Sequence, residues 1–337
     1  FEIKSGMEKI IKYEQIKGHK DKGGKGGFEH FMIKEIHEVP KVIENLLSQN
    51  HKQLLDLAKE IKKAGQVYTI GSGTTGIAAA QIAYFLRHFA KVNAIALVGA
   101  DAYECYDLFG KGDLIVAPSQ SGETADVLEV LEIAKKKGVK IASNVNMLGS
   151  MMTKMSDFKF MTQAGPEICV VSTKVFIAHI AWGYLLAKII AGGGGKVFLR
   201  KSKDYEFGVK NLKKLSVAVE KYLKDKKSMD QIKELSRILQ PEDDIYLLGK
   251  AQNFQVIREG MIKLIETSYK HAHAMPAGDL KHYAITLMEK GVPVIVAISN
   301  DSVKRDVLNA VSQIKARGAY VVGVGPENGQ EFDYYLR

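Results

Sequence analysis

Ser119-Gln120-Ser121-Gly122-Glu123-Thr124 is the stretch whose reading decides the fold. It stands between an apolar run, Leu114-Ile115-Val116-Ala117-Pro118, and a helical pattern from Thr124 to Lys137. That order reads as a buried strand, a tight polar turn and a helix start. At such a junction several backbone N–H groups lack partners and the helix dipole turns its positive end toward the turn, so an anion can bind there. Hydroxyls at Ser119, Ser121 and Thr124 and the amide of Gln120 add donors without adding charge. A capped helix start carries the same residue types, so the rest of the chain decides between the two.

With 337 residues, 46% of them hydrophobic, the chain can build two α/β units with real cores. No run of about 18 apolar residues occurs. The longest candidate, Val170 to Ile190, is interrupted by Ser172, Thr173, Lys174, His179 and Lys188, so no membrane span is expected. Phe1-Glu-Ile-Lys4 does not resemble a signal peptide, and Cys105 and Cys169 are too few for a disulfide framework, which points to a reduced, cytoplasmic protein. The net charge of +10 is spread over solvated runs such as Lys135–Lys137 and Lys213–Lys214. No helix-turn-helix, zinc motif or aromatic-basic stripe accompanies it, so the charge suits anionic metabolites rather than nucleic acid.

Residues 1–27 end in a Gly/Lys stretch that reads as a linker. Helical periodicity runs from Phe28 to Gly65, with a break at Pro40. Val67-Tyr-Thr-Ile-Gly-Ser-Gly-Thr-Thr-Gly76 then gives a strand, a small-residue turn and a helix from Ile77 to Phe89, a second anion-cradle candidate. It matches neither the dinucleotide nor the triphosphate fingerprint. Further strands are expected at Val92–Val98 and Val139–Asn144. A helix from Val170 to Ile190, opened by Ser172-Thr173, follows, and Gly192 to Gly195 ends a first unit.

The pattern then repeats. Gln66–Gly71 matches Asp244–Gly249 at a spacing of 178, and Leu114–Ser119 matches Val294–Ser299 at a spacing of 180. Two copies of one α/β unit follow, each with parallel strands flanked by helices and a ligand crevice beyond the strands' carboxyl ends. The turns have diverged. Ser119-Gln-Ser-Gly-Glu-Thr becomes Ser299-Asn-Asp-Ser-Val-Lys, which loses the Gly and gains an acid. The first copy is expected to hold the anion.

The second copy offers a helical segment, Ile257 to Tyr269, on which Glu259, Lys263 and Glu266 share one face. Such a stripe is a solvated salt-bridge face or a carboxylate base held by a lysine. A loop, Ala274 to His282, is expected next, with His282 as an acid–base candidate. His271, His273 and His282 fit no standard metal spacing, so no metal and no cofactor are expected.

Ser119-Gln-Ser-Gly-Glu-Thr-Ala-Asp126 resembles the signature of sugar isomerase (SIS) domains. With His30–Pro40, Gly71–Thr75, Gln163–Lys174 and Glu259–His282, in this order, the chain resembles the isomerase half of the glutamine–fructose-6-phosphate aminotransferases, over about residues 28–325. The resemblance implies two tandem SIS domains, each a parallel five-stranded, doubly wound sheet. Residues 28–195 would bind the phosphosugar and 209–337 would carry the catalytic helix and loop. Residues 1–27 would be the remnant of a preceding glutaminase domain.

The resemblance also implies that fructose-6-phosphate is opened and aminated and that a proton moves between C1 and C2 to give glucosamine-6-phosphate, with ammonia from the glutaminase. Phosphate and sugar contacts would fall to Thr75, Ser119, Gln120, Ser121, Thr124, Val170 and Ser172. Glu266 would be the proton shuttle with Lys263 and Glu259 beside it. His282 would open the ring from a neighbouring subunit, which implies a homodimer.

Tyr283-Ala284 departs from the family's Gly-Pro, and the family's imine-forming lysine tail lies beyond Arg337. A stand-alone glucosamine-6-phosphate deaminase or phosphosugar isomerase is therefore an alternative. A phosphosugar-sensing regulator would need a DNA-binding segment that residues 1–27 do not resemble.

Overall fold

The computed structural model describes residues 24–49, 51–193, 202–327 and 329–337. Most of the expected 1–27 linker lies outside them.

Strands β1 (Val67–Gly71) and β3 (Leu114–Ser119) are buried at every position, so both of their faces are covered by helices. This explains why they read as nearly continuous apolar runs rather than alternating ones, with the one polar side chain in β1, Thr69, donating to the Ala79 carbonyl at 2.8 Å. They belong to a wholly parallel sheet of order β2-β1-β3-β4-β5, with β2 (Ala94–Val98), β4 (Lys140–Val145) and β5 (Phe158–Met161). One face carries α2 (Val39–Ser48), α3 (Lys52–Lys63), α4 (Gly73–His88) and α7 (Lys174–Ala191), packed through Ile43, Leu57, Ile82, Leu86 and Leu185. The other carries α5 (Ala125–Lys136) and the short α6 (Met151–Met155), packed through Val130, Leu131, Ile141 and Met152. Before them stands α1 (Phe31–His37), separated from α2 by Glu38, with Pro40 in the first turn of α2 where a missing N–H costs nothing.

The second half repeats this plan. Strands β6 (Asp244–Gly249), β7 (His271–Pro276), β8 (Pro293–Ala297), β9 (Tyr320–Val324) and β10 (Tyr334–Leu336) form a parallel sheet of order β7-β6-β8-β9-β10, the same winding shifted by five strands. Its faces are covered by α11 (Lys304–Ala316) on one side and by α9 (Lys226–Leu239) and α10 (Gln252–Ser268) on the other. The duplicated parallel α/β architecture read from the sequence is the one observed.

Between the halves runs α8 (Lys203–Lys224). It crosses residue 209 and packs on the first half, with Leu212 in that core and the Ser216 hydroxyl donating to the Pro40 carbonyl at 3.0 Å. The halves also meet directly where Ile262 of α10 packs against Ile77 and Ala78 of α4 and Phe176 of α7.

Three local expectations are corrected. The helix expected from Ile77 begins at Gly73, because Gly73 turns the chain at φ +55° and lets the next residues enter the helix at once. The helix expected from Val170 begins at Lys174, with Thr173 as its N-cap, so Ser172-Thr173 do open it but Val170 and Val171 lie before it. Ala274-Met275-Pro276 is the end of β7, not a loop. α7 is long and apolar enough to cross a membrane by length and composition, but 72% of that stretch is buried inside the first half.

Candidate functional site

In each half the winding reverses between the first and third strands, and loops at such a switch point line a crevice. In the first half these loops are the β1–α4 turn and residues 119–124. Ser119 is buried, and its Oγ accepts from the Gly122 N–H at 2.9 Å. Ser121 Oγ accepts from the Glu123 N–H at 3.2 Å. Gly122 stands at φ +68°, and a Cβ there would lie 2.3 Å from Ser150 Oγ, so only glycine fits between the turn and the start of α6. The Glu123 carboxylate accepts from the Met151 N–H at 2.9 Å and ties the turn to α6 from outside. Thr124 is the N-cap of α5 but makes no side-chain cap bond. Its hydroxyl and the Gln120 amide stay half-exposed beside the first-turn N–H groups of α5, an arrangement that suits an anion.

Thr75 lies in the first turn of α4. Its hydroxyl is folded back on Ser72, donating to the carbonyl at 2.9 Å and accepting from the N–H at 3.3 Å. Ser72 Oγ is buried and has no partner among the described residues.

Glu259, Lys263 and Glu266 do share one face of α10, and that face meets the N-terminus of α4. Lys263 Nζ is 3.1 Å from Glu259 Oε1 and 2.9 Å from Glu266 Oε2. It also donates to Thr74 Oγ1 at 3.1 Å, while the Thr74 hydroxyl donates to Glu259 Oε1 at 3.1 Å. Glu259 is 7% exposed, and its Oε2 has no partner among the described residues. Burial holds the Glu259 carboxyl above its ordinary range, against the opposing pull of Lys263 and Thr74. The Glu266 side chain is 37% exposed. The solvated-face reading of this stripe therefore fails at Glu259 and Lys263, which are packed between the halves.

The other candidates are placed separately. Ser172 donates to Glu167 Oε2 at 2.8 Å, and Glu167 also accepts from the N–H groups of Thr173 and Val175, capping α7. Val170 is 94% exposed on the same loop. Glu35 of α1, itself buried, accepts from the N–H groups of Ile168 and Cys169 at 2.6 and 3.2 Å, and Lys174 reaches Glu38 at 2.6 Å. These carboxylates fix the 167–172 loop, a role that residue spacing did not reveal. His282 is exposed at the end of a short 3₁₀ turn, Leu280–His282, and makes no bond with the α10 stripe within this chain. Among the described residues no group of three or more His, Cys, Asp or Glu converges as metal ligands would.

Thr74 was missed because its partners are 185 and 189 residues away. The signal lies in the Gly73-Thr74-Thr75 turn, where both hydroxyls stand at the start of α4.

The SIS domain family model matches residues 60–189 and 238–330, one stretch in each half. The chain is 32% identical over 327 residues to "Glutamine--fructose-6-phosphate aminotransferase [isomerizing]" of Pyrococcus horikoshii, covering 97% of this chain and 53% of that protein. A protein of the same name from Thermococcus kodakarensis is 34% identical over 304 residues, with 89% and 49% covered. The chain thus spans about half the length of the curated relatives it matches. Among solved structures, the C-terminal domain of glucosamine-fructose-6-phosphate aminotransferase from Francisella tularensis superposes with a TM-score of 0.82 at 27% identity, over 93% of this chain and 90% of that one. The glucosamine-6-phosphate deaminase of Thermotoga maritima shares the fold, with a TM-score of 0.69 at 21% identity. With one model match on each of two sheets wound alike, and with the serine-rich turn inside the first, the chain belongs to the SIS domain family.

Proposed function

We propose that this chain is the isomerase portion of a glutamine–fructose-6-phosphate aminotransferase. It holds fructose-6-phosphate by its phosphate at Ser119, Gln120, Ser121, Thr124 and Thr75, with Val170 and Ser172 along the sugar. Residues 28–195 bind the phosphosugar, 209–337 supply the chemistry, and 1–27 are the remnant of a preceding glutaminase domain that delivers ammonia. The names of the relatives support this reading. The observation that carries it is the contact of α10 with the first turn of α4, in which Glu259 and Lys263 bond Thr74, the neighbour of Thr75.

The chemistry fits the residue types. Moving a proton between C1 and C2 requires a carboxylate that reaches both carbons and stays oriented between the two transfers. Glu266 has one oxygen held by Lys263 at 2.9 Å, and its side chain is 37% exposed. The Lys263 ammonium also stabilises negative charge developing on the enediol oxygens. His282, exposed and without a hydrogen bond to α10 among the described residues, opens the sugar ring in a neighbouring subunit, so the working form is a homodimer; the relatives' metabolic role suits the cytoplasm.

The test is synthesis of glucosamine-6-phosphate from fructose-6-phosphate and ammonia by the complete gene product. Glu266→Gln keeps phosphosugar affinity within about threefold and lowers turnover by roughly 10²–10⁴. Unchanged turnover removes Glu266 from the reaction. Ammonia release from glucosamine-6-phosphate without synthesis in the other direction favours a deaminase.

A further inference from the structure

We propose that Thr74 is a positioning residue: its hydroxyl sets Lys263, and through it Glu266, against the anion turn of the other half. This rests on the reading of Glu266 as the proton carrier. Thr74 does not have to touch the sugar for this role.

The geometry is specific. One hydroxyl serves both ends of an ion pair, giving its proton to Glu259 Oε1 and a lone pair to Lys263 Nζ. A hydroxyl has one donor and two acceptor sites, so both bonds can form at once. Lys263 then has its three N–H groups directed at Thr74, Glu259 and Glu266 and cannot swing away. Thr74 itself is fixed by the backbone. Gly73 turns the chain before it at φ +55°, and Thr75 follows with its hydroxyl bound to Ser72. Adjacent residues of one helical turn thus face two ways, Thr75 with the sugar-phosphate loops and Thr74 with the proton-transfer stripe. The distance between anchor and carrier is set in the first half, although the carrier belongs to the second. Glu259 is buried with one oxygen lacking a partner, and among the described residues the Thr74 hydroxyl is its one neutral donor.

The test compares Thr74→Val with Thr74→Ser in the complete gene product. Valine keeps the volume and removes both hydrogen bonds; serine keeps both. Displacing a reacting group by about 1 Å costs on the order of 10² in rate. Thr74→Val should therefore lower kcat about 10–100-fold with phosphosugar affinity, measured by calorimetry, within about threefold. Thr74→Ser should stay within about threefold of the parent in both. The midpoint of the Glu259 carboxyl, followed by carbon NMR, should rise in Thr74→Val and hold in Thr74→Ser, because only valine removes a donor to the charged form.

Parent-like kcat in Thr74→Val overturns the proposal. So does an equal loss in both variants, or a loss confined to KM, which would mark a substrate contact instead. A parent that neither makes glucosamine-6-phosphate nor exchanges C1 and C2 protons with solvent sinks the function proposed above. Thr74 is then judged on the Glu259 midpoint alone, and an unmoved midpoint in Thr74→Val overturns it.

Discussion

Asn253 and Ser299 hold each other by two side-chain hydrogen bonds, Nδ2 to Oγ at 2.8 Å and Oγ to Oδ1 at 3.1 Å. By the spacing of the repeat they stand where Thr75 and Ser119 stand in the first half. In the first half those two side chains do not bond each other; each turns to its own loop backbone. In the second half, Asn300 and Lys304 are further engaged by Glu327, at 2.6 and 3.0 Å. The second copy of the turn is filled by its own side chains, with a carboxylate added.

This fixes a stoichiometry. Calorimetric titration with fructose-6-phosphate should give one site per chain, removed by Ser119→Ala together with Ser121→Ala. Two sites of comparable affinity would show that the Asn253–Ser299 pair yields to a phosphate.

The repeat also exposes a strained residue. Gly73 and Ala251 are separated by the same 178 residues as their strands and share a positive φ, +55° and +52°. Glycine adopts that conformation freely, whereas a side chain costs roughly 1–2 kcal/mol. Ala251→Gly should raise the free energy of unfolding by about 1 kcal/mol in a urea titration, the gain being reduced by glycine's larger unfolded-state entropy. A loss of stability would mean that the Ala251 methyl makes contacts worth more than the strain.

His179 of α7 has a pH signature. It is fully buried, neither ring nitrogen has a partner among the described residues, and burial lowers its pKa from 6.5 to about 3. Between those values the unfolded chain binds a proton that the folded chain refuses. Stability from this group is therefore complete above pH 6.5 and falls as the pH drops. At pH 5 the loss is ~2 kcal/mol, set mainly by the unfolded value. His179→Leu should flatten the stability profile between pH 7 and 5 by that amount. Parallel profiles in parent and variant would refute it.

What the sequence showed and hid follows burial. β1, β3, β6 and β8 were legible because they are covered on both faces and carry nearly continuous apolar runs. β5 and β7 were not, because they carry polar residues such as Lys159, His271 and His273, whereas the equally exposed edge strand β2 is apolar throughout. The repeat spacing could have located β7, since Ala94–Val98 maps onto 272–276. At the site, Glu259, Lys263 and Glu266 were legible as one helical face. Their contact with Thr74 was not, because helical periodicity says nothing about what a face meets. The glycine at 122 was read as part of a motif; its reason, the closeness of Ser150, exists only in three dimensions.

The meeting of α4 with α10 has a consequence for synthesis on the ribosome. A nascent chain that has emerged through β5 already contains every residue assigned to gripping the phosphate, yet none of the three side chains on α10. On the reading proposed above, the first half, once α7 has closed its core, holds the phosphate contacts without the proton carrier. On that same reading the α10 side chains join only when the later sheet docks, and translation order then separates capture from conversion.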